Sequence, residues 1–143
     1  MTRYLSSKNT ITILILWSLV LSLLIILYLN FKIEHLKALP LIIVMVVIVV
    51  IIWILLDTRY VIKSNFLLYR SGPFRGRIDV MKITKIKHHS GYNLPVTMKP
   101  ALNYKGFIIS FNTNDEVFVS PKHHVLFIDE LLKINQKIEI ILQ

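Results

Sequence analysis

The 143-residue chain offers few side chains for bond-making chemistry, and their spacing argues against it. It has no cysteine, which excludes a disulfide framework, a thiolate metal site and a cysteine nucleophile. The conspicuous titratable groups are two histidine pairs, His88-His89 and His123-His124. Imidazoles bind zinc or copper, but neighbours on a strand point to opposite faces. No cysteine or well-spaced carboxylate completes a ligand set, so these are expected to be solvated histidines. Asp115 with Glu116 and Asp129 with Glu130 are sequence neighbours, in a turn and on a helix surface, where they do not converge as acid/base catalysis requires. Ser120, followed by Pro121, reads as a helix cap and not as a nucleophile. Gly72 and Gly76 lack the spacing and the lysine of a phosphate loop. The chain therefore reads as a non-enzyme, with no catalytic residue, cofactor or metal expected.

The residues with functional content are basic. Arg59, Lys63, Arg70, Arg75 and Arg77, continued by Lys82, Lys85 and Lys87, form a series that could face a membrane and hold anionic headgroups, at about 1 kcal/mol per residue near the surface. The first five are the candidate binding residues. The bland account is that they signal topology and otherwise cover a solvated sheet face. Net charge is +9, divided as +2 over residues 1–29, +1 over 30–56 and +6 over 57–143. Nucleic acid is not the expected partner, because neither an aromatic-basic platform nor a basic recognition helix is present.

Two uncharged runs precede that series. Ile11 to Leu29 holds 19 residues and Leu39 to Leu56 holds 18, each near the roughly 20 that cross a hydrocarbon core. Backbone polar groups in lipid must pair internally, so both runs should be helices. A cleavable signal peptide competes for the first run, but the run is too long and no small-residue cleavage site follows it. A buried core segment competes for the second, yet 18 apolar residues would overfill a domain this small. The short Asn30 to Ala38 connection, broken by Pro40, implies an antiparallel hairpin. Arg3 and Lys8 lie before it and the arginine series after it, against Lys32 and Lys37 between, so the positive-inside rule puts both termini in the cytoplasm of a multi-pass cell-membrane protein. Trp17, Tyr28, Trp53 and Tyr60 are placed to sit at the interfaces.

From Tyr60 the hydrophobic period shortens. Tyr60 to Ile62 and Phe66 to Tyr69 read as a hairpin about Lys63, Ser64 and Asn65, ended by Ser71, Gly72 and Pro73. One irregular strand is expected between Arg77 and His88, then a long loop from Ser90 to Pro100. A short strand over Ala101 to Asn103 follows, then a second hairpin: Gly106 to Phe111, a turn at Asn112 to Asp115, and Glu116 to Ser120. A helix opened by Ser120 and Pro121, with Val125, Ile128, Leu131 and Leu132 on its inner face, should close the sheet and stop near Asn135. Residues 1–56 are thus a tail and two membrane helices, and 57–143 one cytoplasmic domain.

The blocks TRYVI at Thr58 to Ile62, LLYRSGPF at Leu67 to Phe74, IDVMKITKI at Ile78 to Ile86, PAL at Pro100 to Leu102 and VFVSPKHHVLFIDELLKIN at Val117 to Asn135 resemble the bacterial pleckstrin-homology-like domains of small membrane-anchored proteins. The resemblance implies an α+β fold after the helical hairpin: an antiparallel sheet or partly open barrel closed by one C-terminal helix. Where that family often has a basic residue, four positions after the PAL leucine, this chain has Gly106, so no ligand contact is implied there. The expected function is a non-enzymatic, membrane-anchored module that binds a lipid, such as an anionic headgroup, or a protein partner, either another membrane protein or further copies of itself. The alternative is a membrane immunity or resistance factor against a peptide toxin.

Overall fold

The computed structural model describes residues 2–31, 38–91, 96 and 99–141. The chain opens with strand β1 (Thr2–Leu5), followed by helices α1 (Thr10–Phe31) and α2 (Ala38–Leu56). Seven further strands follow: β2 (Arg59–Lys63), β3 (Phe66–Ser71), β4 (Phe74–Asp79), β5 (Ile83–Ser90), β6 (Lys105–Phe111), β7 (Asp115–Val119) and β8 (Glu139–Ile141). Helix α3 (His124–Ile134) lies between β7 and β8.

The helices α1 and α2 pack against each other and carry almost uniformly apolar surfaces. Their exposed residues include Leu14, Ile25, Ile43 and Val49. Ser18 and Ser22 donate to the carbonyls of Ile15 and Leu19, each at 2.8 Å, so their hydroxyls are satisfied within the helix. By length and composition Thr10–Leu29 is able to cross a membrane, whereas the apolar stretch Leu41–Leu56 is shorter. Pro40 lies just after the break between the helices, as expected. It sits in the first turn of α2, where a missing N–H costs no hydrogen bond. The connection over residues 32–37 lies outside the described residues.

Two four-stranded sheets enclose the core, in the orders β1-β2-β3-β4 and β7-β6-β5-β8. Strand β1 was not foreseen. It pairs antiparallel with β2 from Thr2 opposite Ile62 to Leu5 opposite Arg59, so the tail ahead of the helices is built into the domain behind them. The division at Asp57 therefore separates helices from domain only on their C-terminal side. The backbone of residues 5–7 then meets the β7–α3 connection, with Ser7 N donating to Ser120 O and Lys122 N to Leu5 O, which joins the two sheets along one edge.

The single strand expected between Arg77 and His88 is two, in different sheets. Asp79 Oδ1 accepts from Met81 N at 3.0 Å and turns the chain through one 3-10 turn, Val80–Lys82, before β5 begins. Ser120 does not cap α3. The helix begins at His124 with no side-chain cap, and Ser120 is buried, 3.1 Å from Ser6 Oγ. The phase of α3 also differs from expectation: Phe127 and Leu131 are fully buried, Ile128 and Leu132 partly so, and Val125 is exposed. Of the expected Ala101–Asn103 strand, Leu102 alone pairs, in a bridge with Lys8. Much of the 90–100 loop lies outside the described residues.

Tyr60, assigned by sequence to the membrane interface, is completely buried among β1, β2 and α3. Its hydroxyl donates to Pro100 O at 2.6 Å and accepts from Ser120 N at 3.1 Å. Burial pushes the phenol up from its ordinary pKa, partly offset by the bonds from Ser120 and Ser6. At the far end, Asn135 Nδ2 donates to Val80 O at 3.0 Å and Ile83 O at 3.1 Å, fastening the end of α3 to the crossover between the sheets.

Candidate functional site

Strand alternation decides where the basic residues stand. In β2 Tyr60 and Ile62 point into the core, in β3 Leu67 does, and in β4 Ile78 does. The intervening Arg59, Lys63, Arg70, Arg75 and Arg77 therefore share the opposite, outward face of the first sheet. The register gathers three of them: Leu5 lies opposite Arg59, Arg59 opposite Arg70, and Arg70 opposite Arg75. This row is at the end of the sheet from which α2 emerges.

Asp57, between α2 and β2, ties two of the three together. Its Oδ1 lies 3.3 Å from Arg59 Nε and its Oδ2 2.5 Å from Arg70 Nε. Trp53 Nε1 approaches the same carboxylate at 3.4 Å, so the last turn of α2 shares the network. One carboxylate against three guanidinium groups leaves a local excess of positive charge, and Arg75 is exposed.

Arg77 belongs to the face but not to the row. Its guanidinium lies over the Phe66 ring, 4.5 Å from the centroid, a cation–π contact. Lys63 is exposed opposite Phe66 at the far end of the hairpin. The later lysines are elsewhere: Lys82 is on the 3-10 turn, and Lys85 in the second sheet pairs with Glu139 at 3.4 Å. The row is thus Arg59, Arg70 and Arg75, with Arg77 and Lys63 graded away from the helices.

The β3–β4 turn is pressed against the helix end. Gly72 has φ +56°, and a Cβ there would come within 2.8 Å of Ile54 Cγ1 and 3.3 Å of the Ile54 Cα. Glycine is required twice over, by the left-handed backbone and by this approach. Thr58 Oγ1 donates to Ile54 O at 2.7 Å and lies 3.0 Å from Ser71 Oγ, so helix, strand and turn are joined by short contacts.

A second feature escaped the sequence. Between α3 and the β5–β6 strands lies a cleft of about 780 Å³, with Phe107, Val125, Ile128, Leu132 and Ile140 forming its apolar walls. His88 and His124, one from each histidine pair, both stand against the Phe107 ring, at 5.6 and 6.2 Å between centroids. Lys105 and Lys122 line the rim. No sequence spacing links these groups, because α3 reaches the second sheet only through the fold. Among the described residues no group of three or more His, Asp or Glu side chains is placed to hold a metal ion. Gly106, at the cleft, is dictated by packing: a Cβ there would meet Val119 O at 2.3 Å and the Phe118 ring at 2.8 Å.

The family model described as bacterial PH domain matches residues 58–135, more than half of the chain, and the chain belongs to that family. The two strand layers and closing helix are a PH-like fold, as the sequence blocks implied. No curated protein and no solved structure matches the chain.

Proposed function

We propose that this bacterial PH-domain protein is a non-enzymatic module, held at the cell membrane by α1 and α2, whose arginine row engages anionic lipid headgroups beside the helices. The observation that carries it is the register Arg59–Arg70–Arg75 beside the end of α2, where among the described residues Asp57 forms ion pairs with Arg59 and Arg70 and Arg75 stays exposed. PH domains are in general binding modules without catalysis, which supports the non-enzymatic reading.

Pairing of β1 with β2 supports two crossings: if α1 spans the bilayer, α2 must return the chain to the side on which the tail pairs. With Lys8 and the arginines on that side, the positive-inside rule makes it the cytoplasm, where the anionic leaflet attracts each basic residue by about 1 kcal/mol. The domain of the proposal is accordingly residues 2–8 with 57–141.

The full chain in vesicles carrying spin-labelled phosphatidylglycerol or phosphatidylcholine tests the lipid reading. Phosphatidylglycerol should be enriched severalfold in the motionally restricted lipid around the protein, and R59Q/R70Q/R75Q should abolish the enrichment. Equal restriction of the two lipids by the unaltered chain overturns the proposal.

A further inference from the structure

The β3–β4 turn carries an apolar tip whose exposure the arginine row does not explain. Pro73 and Phe74 project from it, and Phe74 is 60 % exposed although it is one of the larger apolar side chains of the domain. Its position relative to the helices is fixed. Gly72 is packed on the backbone of Ile54, which lies in the last turn of α2, three residues before Asp57. At 1.5 Å per residue, that contact is about 4.5 Å below Asp57 along the helix. Leu56, beside it, is 74 % exposed, and the Trp53 indole reaches up to Asp57 from the same turn. A bilayer that covers the apolar length of α2 therefore reaches the turn as well. Arg70 and Arg75 flank the tip in register, where guanidinium groups would meet phosphates while Phe74 meets acyl chains.

We propose that Pro73 and Phe74 form a membrane-inserting fingertip, seated at the boundary of headgroups and acyl chains beside α2. Its occupant is the bilayer itself. The tip continues the apolar surface of α2, and a frame of cations suits a lipid boundary better than a protein pocket. The inference rests on the proposed membrane placement of α2 but not on lipid charge, since burial of a phenylalanine and a proline in lipid needs no anion. Met81 supplies an internal contrast. It is equally exposed at 57 % but sits on the 3-10 turn beside Asn65, at the opposite end of the β2–β3 hairpin, where the same bilayer would not reach it.

The absence of cysteine makes the test direct. Phe74→Cys, Met81→Cys and Val49→Cys, each labelled with an environment-sensitive fluorophore in the full chain, are placed in phosphatidylcholine vesicles with and without phosphatidylglycerol. Phe74 is exposed, so its replacement removes no core contact. The probe at 74 should be quenched severalfold more by nitroxide-bearing lipid, and severalfold less by aqueous acrylamide, than the probe at 81, in both lipid mixtures. If the probe at 49 is quenched by lipid while that at 74 behaves like 81, the fingertip is refuted and the placement of α2 stands. If the probe at 49 is itself open to acrylamide and untouched by lipid quencher, the membrane placement fails and the fingertip with it.

Discussion

Tyr4 Oη donates a 2.6 Å hydrogen bond to Glu130 Oε2, although 126 residues and both apolar helices separate the two in sequence. The Tyr4 ring meets Phe127 edge-on at 5.3 Å. Burial, then the bond to Glu130 and the charges of Glu130 and Asp129, push the phenol up to about 12. The bond needs the phenolic proton, and the folded pKa lies above the ordinary value near 10. Its stabilisation is therefore complete below about pH 10 and is lost as pH rises towards about 12. Tyr4→Phe should cost about 1 kcal/mol at neutral pH. It should also flatten the alkaline decline in β1 amide protection measured by hydrogen exchange. An unchanged decline in the variant would show that Tyr4 is not the group responsible.

The same strand makes the domain depend on residues that precede the helices. A fragment of residues 57–143 leaves the β2 edge unpaired and uncovers Tyr60 and Phe127 where Tyr4 stood. Joining residues 2–9 to 57–143 through a short flexible linker should stabilise the fragment by about 2 kcal/mol from Tyr4 burial, or roughly 10 °C in Tm. Identical melting of the two fragments would mean that β1 contributes nothing to the fold.

What the sequence could show follows from what is local. Hairpins impose a two-residue alternation, so Arg59, Lys63 and Arg70 could be placed on one face by counting through the turn at Lys63, Ser64 and Asn65, whereas Arg75 lies outside every strand expected from sequence and Arg77 in an expected strand that is two. The role of β1 could not be seen, because Thr2–Leu5 is four residues with no turn partner and its pairing lies beyond the helices. Tyr60 misled for a related reason: an amphipathic ring at the end of an apolar run suits an interface, and only the hydroxyl's long-range partners, Pro100 and Ser120, show that it is a core residue. Ser120 and Pro121 carry a helix-start signal, but Ser6 competes for both through its own long-range contacts. The cleft on α3 was hidden because its walls come from β5, β6, α3 and β8, which only the fold brings together. The reason for Gly106 was also out of reach of the sequence, because it lies in the neighbouring Val119 carbonyl and Phe118 ring.

Asn135 marks the other tie between α3 and the sheets. Its side-chain amide donates to the Val80 and Ile83 carbonyls, and its Oδ1 accepts from Lys137 N at 3.0 Å. Asn135→Ala should cost about 1–3 kcal/mol, since buried carbonyls lose their donor. Asn135→Asp keeps the acceptor for Lys137 but sets a carboxylate against those carbonyls, and at neutral pH it should be at least as damaging. Urea unfolding at neutral pH decides; a stability within about 0.5 kcal/mol of the unaltered chain for Asn135→Asp would rule out the donor role.

Asp57 offers the sharpest test of the arginine row, because it can act in two opposed ways. As a counter-charge it cancels part of the field of Arg59 and Arg70; as a brace it holds their side chains at the helix end. If charge dominates, Asp57→Asn removes one negative charge while an amide oxygen can still accept from Trp53. The spin-label preference for phosphatidylglycerol should then rise by about 1 kcal/mol, roughly fivefold. Raising salt towards about 1 M, where screening acts within about 3 Å, should shrink that gain. A fall in preference would instead mean that bracing outweighs neutralisation, because freed arginine side chains lose more in ordering than the row gains in charge.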